Sequence, residues 1–179
     1  MRRTLIAVTV LLAVGATASA AQAASPHFKR NGEPTCTISG SATSKTVQCT
    51  GTLAGLGGGD LSIPTTVSGF AVYQCRNAGG NTAPGQNRVL TGPSTVPTTI
   101  SSQSIKNGNV TFTTSPNTLS APATVSGGAA GCPNSNWTGV NPTLTLTNIS
   151  LTISQGGTLL FSCSASNPTG LTSPVRLSC

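Results

Sequence analysis

The sequence predicts an all-β fold, an Ig-like or related Greek-key β-sandwich stapled by disulfides. Three observations carry this expectation. Apolar residues alternate with Thr, Ser and Gln over short segments, which is the period of two of a half-buried strand. Turn-forming residues, including 21 glycines and 12 prolines, separate those segments at regular spacing, and helical periodicity is absent after residue 24. Six cysteines, Cys36, Cys49, Cys75, Cys132, Cys163 and Cys179, give an even count that implies three disulfides in an exported chain.

Export is read from the first residues. Met1-Arg2-Arg3 is basic, an apolar run extends from Leu5 to Val14, and small residues follow it. That order defines a secretory signal peptide, placed at 1–24, with cleavage after Ala23 or Ala24. The run is shorter than the roughly 20 apolar residues of a membrane span. The mature protein is therefore expected in the extracellular space, free or associated with the cell wall, and not in a membrane after cleavage. Residues 25–34 read as a flexible lead-in, and 35–179 as a single β-sandwich domain.

Within that domain the strands follow in order. Segments 35–39 and 46–53 alternate, and 55–59 is a glycine-rich turn. Segment 67–75 carries Val67, Ala71, Tyr73 and Cys75 on one face and Phe70 and Val72 on the other, which suits a central strand. Residues 76–85 form a long Gly/Asn/Pro loop. Segments 98–106 and 109–114 flank Asn107-Gly108, the strongest short hairpin signal, because both turn positions need positive φ. Segment 115–136 is turn-forming. Segment 143–155 alternates, with a phase change at Thr147-Asn148 that predicts a bulge, and Gly156-Gly157 turns the chain into 158–163.

The pairing of the cysteines stays open. In a sequential scheme Cys36 meets Cys49 across a hairpin, Cys75 joins Cys132, and Cys163 meets Cys179; a first-to-last pairing of Cys36 with Cys163 is the rival.

Composition narrows the function. Charged residues are 6% of the chain, and removing Arg2 and Arg3 reduces the formal charge from +7 to +5. His27, Glu33 and Asp60 are the whole stock of imidazole and carboxylate side chains. Acid–base catalysis needs such groups placed together, so no catalytic residues are assigned and the protein is read as a non-enzyme; a hydrolase is the weakest alternative. No metal site and no cofactor are expected, since C-x-x-C spacing and a phosphate-binding Gly-Lys-Ser/Thr are both missing. The bases are scattered apart from Lys29-Arg30, and aromatic residues are 3%, which argues against nucleic acid as a partner. Summed positive charge favours cell-wall glycans or anionic wall polymers.

Two loops stand out. One runs from Cys75 through Arg76, Asn77, Asn81, Gln86 and Asn87; the other holds Cys132, Asn134, Asn136 and the sole tryptophan, Trp137. If Cys75 bonds Cys132, the loops share one end of the sandwich, where such folds bind partners. In one reading the indole and amides hold a glycan, peptide or small molecule. In the other, Trp137 plugs the core and the amides make turns, as suits a structural coat protein. Inhibition of proteases by a pinned loop is a further alternative.

The segments Cys75-Arg76-Asn77-Ala78-Gly79-Gly80-Asn81-Thr82-Ala83-Pro84-Gly85 and Cys132-Pro133-Asn134-Ser135-Asn136-Trp137 resemble those of a group of secreted β-rich proteins of actinobacteria. That group carries a Cys-x-Asn-x-Gly-Gly-Asn-x-x-Pro-Gly loop. The resemblance implies an exported protein, covers about a tenth of the chain and brings no activity with it.

Overall fold

β-Branched Thr, Val and Ile alternating with buried positions produce strands wherever one face can be covered. The computed structural model describes residues 25–179, so the leader read at 1–24 lies outside the described residues. In chain order the first strands are β1 (His27–Phe28), β2 (Thr35–Gly40), β3 (Ser44–Ala54), β4 (Leu61–Ser62), β5 (Thr65–Arg76), β6 (Thr82–Pro84), β7 (Val89–Val96) and β8 (Thr99–Ile100). They continue as β9 (Val110–Thr113), β10 (Asn117–Ser120), β11 (Val125–Ser126), β12 (Thr138–Gln155), β13 (Thr158–Ser166) and β14 (Val175–Arg176). Helical structure among the described residues is one 3-10 turn, Ser102–Ser104, and one α-helical turn, α1 (Gly127–Ala130).

Two sheets face each other in a sandwich-like arrangement. The first is built on β3, with β2 and β1 along one edge, β10 and β9 along the other, and β14 beyond β2. The second is built on β12, with β5 and β4 along one edge and β13 and β11 along the other. β7 and β6 extend it beyond β5, and β8 beyond β4. Val47, Leu53, Phe112 and Leu119 of the first sheet meet Val67, Leu146, Ile149, Leu151 and Ile153 of the second. Each such side chain contributes roughly 1.5–3 kcal/mol on burial.

The sandwich is closed along both sides. On one side β14 pairs with β2, and Ser178 exchanges two backbone hydrogen bonds with Ser164 of β13, so one segment joins the two sheets. On the other side β10 lies beside β7, and the fully buried Asn117 bonds across the gap. Its Nδ2 donates to the Thr65 and Ser94 carbonyls at 2.7 and 2.9 Å, and its Oδ1 accepts from the Ser94 hydroxyl at 2.8 Å.

The disulfides are Cys36–Cys49, Cys75–Cys132 and Cys163–Cys179, the sequential pairing. Cys36 lies directly opposite Cys49. The backbone N–H and C=O of Cys49 both engage Thr114 on the far edge, which leaves Cys36 and Cys49 as a close, non-hydrogen-bonded pair.

Several sequence expectations change. The 25–34 lead-in is tied to β3: Lys29 and Thr52 bond, Thr52 reaches the Gly32 carbonyl, and β1 pairs with Leu53 and Ala54. This pairing places the segment along the open edge of β3. The strand expected at 98–106 shrinks to β8, because the Asp60 carboxylate and the Ser101 hydroxyl take the Ser102 and Gln103 N–H groups and wind the chain into a turn. The Asn107-Gly108 turn forms with φ of 51° and 71°, although its arms pair only at Lys106 and Asn109. β7 was not foreseen, since Gly92-Pro93 reads as a turn. It survives as the outer strand where its register on β5 slips between Val67 and Gly69. The 115–136 segment holds β10, β11 and α1. The bulge at Thr147-Asn148 is present as a register shift between Leu146 and Asn148.

Candidate functional site

The site grows from the divergence of β5 and β12. Their register slips between Val140 and Thr143, where Asn141 takes a φ of 50° ahead of Pro142. β5 then turns back into β6, so the loop expected at 76–85 is a hairpin with Arg76 opposite Thr82. Asn77 organises its tip: its Oδ1 accepts from the Asn81 N–H at 2.9 Å, and its carbonyl accepts from Gly80. Gly85 follows at a crossing where an added Cβ would lie 2.5 Å from the Tyr73 carbonyl oxygen and 2.7 Å from that of Ala130, so a side chain has no room.

The second loop docks against this crossing. α1 is capped by the Ser126 hydroxyl and ended by Gly131 at φ 67°. The Gln86 and Asn87 N–H groups bond the Gly131 and Ala130 carbonyls, and Asn87 Nδ2 donates to the Gly128 carbonyl. With Cys75–Cys132 these bonds hold the 76–87 and 132–137 segments side by side.

The residues singled out from sequence divide into two sets. Asn77, Gln86, Asn87 and Asn134 spend side-chain groups on backbone within these loops. Arg76, Asn81 and Asn136 are exposed. Trp137 is half-buried and packs on a small cluster of Ala71, Tyr73, Cys75 and Ala130, with Val125 beside it. It closes this end of the core, and the Tyr73 hydroxyl locks the cluster by donating to the Pro122 carbonyl at 2.9 Å. Burial raises the Tyr73 hydroxyl above its ordinary pKa of 10.0.

On the outer side of the hairpin is an open groove of about 470 Å³, lined by Val72, Gln74, Thr82, Pro84, Asn141 and Thr143 among others. Asn141 Nδ2 donates to Gln74 Oε1 at 3.0 Å, which joins two amides across it. Val72 is 38% exposed, and Leu90 of β7, 85% exposed, stands opposite Phe70 on the same sheet. The Arg88 guanidinium covers the Phe70 ring at 4.3 Å and donates to the Pro168 carbonyl. Trp137 is not among the residues that line this groove. Sequence reasoning missed Gln74 and Asn141. The one available signal was Asn141-Pro142 interrupting the approach to a long alternating strand.

The candidate acid–base groups lie elsewhere and hold structure. Glu33 bonds Arg176 at 2.6 Å, Asp60 accepts from the Ser102 N–H at 2.7 Å, and the His27 ring bonds the Ser25 carbonyl. The Ser102 backbone bond, with a smaller contribution from the Ser102 side chain, holds the exposed Asp60 carboxyl below its ordinary 3.8. Among the described residues no group of three His, Cys, Asp or Glu side chains is placed to hold a metal. Among the same residues no helix is long and apolar enough to cross a membrane, and three disulfides suit an oxidising compartment. Compared with known proteins, the chain matches no family model and none of the curated proteins.

Proposed function

We propose that the protein is an exported, Ig-like, non-enzymatic domain that binds a cell-wall glycan at the end of the sandwich pinned by Cys75–Cys132. The groove between β5, β6 and β12 carries this reading. Val72 and Pro84 offer apolar surface to the C–H face of a sugar, and the Gln74 and Asn141 amides offer donors and acceptors to neighbouring hydroxyls. An exposed apolar patch rimmed by polar groups is a common mark of an interaction surface. The disulfide and the Asn77 turn hold the hairpin in place before ligand arrives. The structural engagement of Glu33, Asp60 and His27 supports binding over catalysis.

Calorimetric titration with cell-wall glycan fragments tests this. Gln74→Ala and Asn141→Gly, the latter chosen to keep the positive φ, are expected to weaken binding at least about tenfold, the size of one or two lost polar contacts. Trp137→Phe is expected to leave it unchanged. Absence of glycan binding by the intact protein would defeat the reading. It would favour a coat protein, for which the internal turn bonds of Asn77, Asn87 and Asn134 already speak.

A further inference from the structure

At the other end of the sandwich the fold collects charge that the sequence scatters. β12 pairs with Cys75 at Gly139 but with Phe161 at Ile153, so the surface around Phe161 lies far along the same strand from the glycan groove. Here Lys29 and Lys106 line one groove of about 490 Å³, and Arg30 and Arg176 line another of about 720 Å³. Lys29 and Arg30 are consecutive, so the two grooves share a stretch of backbone. Four of the seven basic residues between 25 and 179 therefore meet at this end. Lys106 is 77 positions from Lys29, and Arg176 is 147 from it, which hid the cluster in the sequence.

The charge is not cancelled in the Lys29–Lys106 groove. Its wall contains no acidic side chain; besides the two lysines it is lined by Thr52, Ser104, Asn109 and Thr111 and by the apolar Ile100 and Val110. The nearby Asp60 carboxylate is engaged by the Ser102 N–H, and Glu33 is paired with Arg176. Among the described residues neither Lys29 nor Lys106 forms an ion pair.

We propose that the Lys29–Lys106 groove binds a phosphodiester-linked polyol or sugar chain, the chemistry that makes cell-wall polymers anionic. Ammonium groups act as point charges that a tetrahedral phosphate can meet from any direction, without the planar register that a guanidinium fork imposes on carboxylate and phosphate alike. The Ser104 hydroxyl adds a neutral donor, as does the second Nδ2 proton of Asn109, whose first goes to the Asn107 carbonyl, while the Thr111 hydroxyl is paired with that of Thr52; Ile100 and Val110 offer apolar surface to the carbon skeleton between phosphates. This site is separate from the glycan groove and shares with that reading only its premise of export.

The experiment measures binding of the disulfide-intact protein to poly(glycerol phosphate) across a salt series. Neutral dextran, polyuronate and a DNA oligonucleotide of matched charge are the comparison arms. Affinity for the poly(glycerol phosphate) is expected to fall with salt, and the Lys29→Gln/Lys106→Gln variant is expected to lower the log–log slope by about 1.4, near 0.7 per lost phosphate contact on a single strand. The same variant should weaken binding about tenfold or more at low salt, while Arg76→Gln and Gln74→Ala leave it unchanged. Both lysines project from the surface, and an unaltered circular-dichroism spectrum confirms that the variant is folded. Equal binding by the lysine variant, an equal loss in Arg76→Gln, or equal affinity for dextran, polyuronate or DNA would overturn the assignment. Loss of glycan binding in Gln74→Ala with phosphate binding retained distinguishes failure of one site from failure of the other.

Discussion

Replacing Asn117 with alanine tests whether the β10–β7 side of the sandwich depends on one buried amide. Asn117 and Thr65 are both fully buried, so the Thr65 carbonyl left behind finds no water. Loss of a hydrogen bond to a buried acceptor that water does not replace costs about 1–3 kcal/mol. The Ser94 carbonyl and hydroxyl are half-buried and partly recover by hydration, adding about 1 kcal/mol. The vacated space adds a similar amount if the two sheets do not collapse into it. The expected loss is about 3–5 kcal/mol. Thr118 is the control: it is the next residue, but its hydroxyl pairs with Thr46 on the outer face, and Thr118→Ala should cost about 0.5 kcal/mol. Asn117→Leu refills the volume without the donors and should recover no more than about 1 kcal/mol of the alanine loss. Guanidinium unfolding with disulfides intact, followed by Trp137 emission, measures all three, provided the slopes agree. An Asn117→Ala loss no larger than that of Thr118→Ala would refute the claim that this amide joins the sheets.

Three other outcomes follow from the same geometry. Removing Cys75–Cys132, which spans 57 residues, should destabilise by about 4 kcal/mol in the chain-entropy account, against about 3 for Cys36–Cys49 or Cys163–Cys179, which span 13 and 16; paired Cys→Ala variants in denaturant give the order. Tyr73 is the sole tyrosine, so its ionisation is read directly from near-ultraviolet absorbance. Its pKa is raised by burial, so the stabilisation is complete below 10.0 and is lost as pH climbs through the raised value; a midpoint at 10.0 in the folded protein would contradict its burial. Asp60 behaves in the opposite sense. Its carboxyl is held below 3.8 by the Ser102 backbone bond, so its contribution is present above that value and disappears as pH falls through the lowered one. A lower protection factor for the Ser102 amide, meaning exchange faster relative to its intrinsic rate, is expected as pH falls through the lowered value, and at all pH in Asp60→Ala; an amide indifferent to both would count against the bond.

Much of the fold was legible because one physical signal was strong. Val47, Cys49 and Leu53 alternate with hydroxyl-bearing neighbours, and the same pattern in Leu144, Leu146, Ile149, Leu151 and Ile153 located β12 together with its bulge. β7 was illegible because Gly92-Pro93 is a turn by local chemistry and an outer strand only by tertiary pairing. The Asn107-Gly108 turn suggested a strand at 98–106, but Asp60, 42 residues before Ser102, redirects that backbone. At the site, the sequence supplied the two loops, and the disulfide joining them was one of the open pairings. It did not supply Gln74, Asn141 or the meeting of Lys29 with Lys106, since each is a product of strand register and crossing.

The segment that joins β2 to β13 has a bearing on how the molecule assembles. Cys36 waits for Val175, a partner 139 positions later, whereas the β2–β3 hairpin can form as soon as it emerges. Contacts of such long range form late, because the chain between them must first lose its freedom. In the interval two strands present bare backbone to any other unfolded copy, the usual start of intermolecular sheet growth. The Cys163–Cys179 bond tethers the late segment beside its docking edge. Oxidation thus governs the timing of closure as well as its strength, and thiol-reducing surroundings would leave an adhesive intermediate rather than a softer native state.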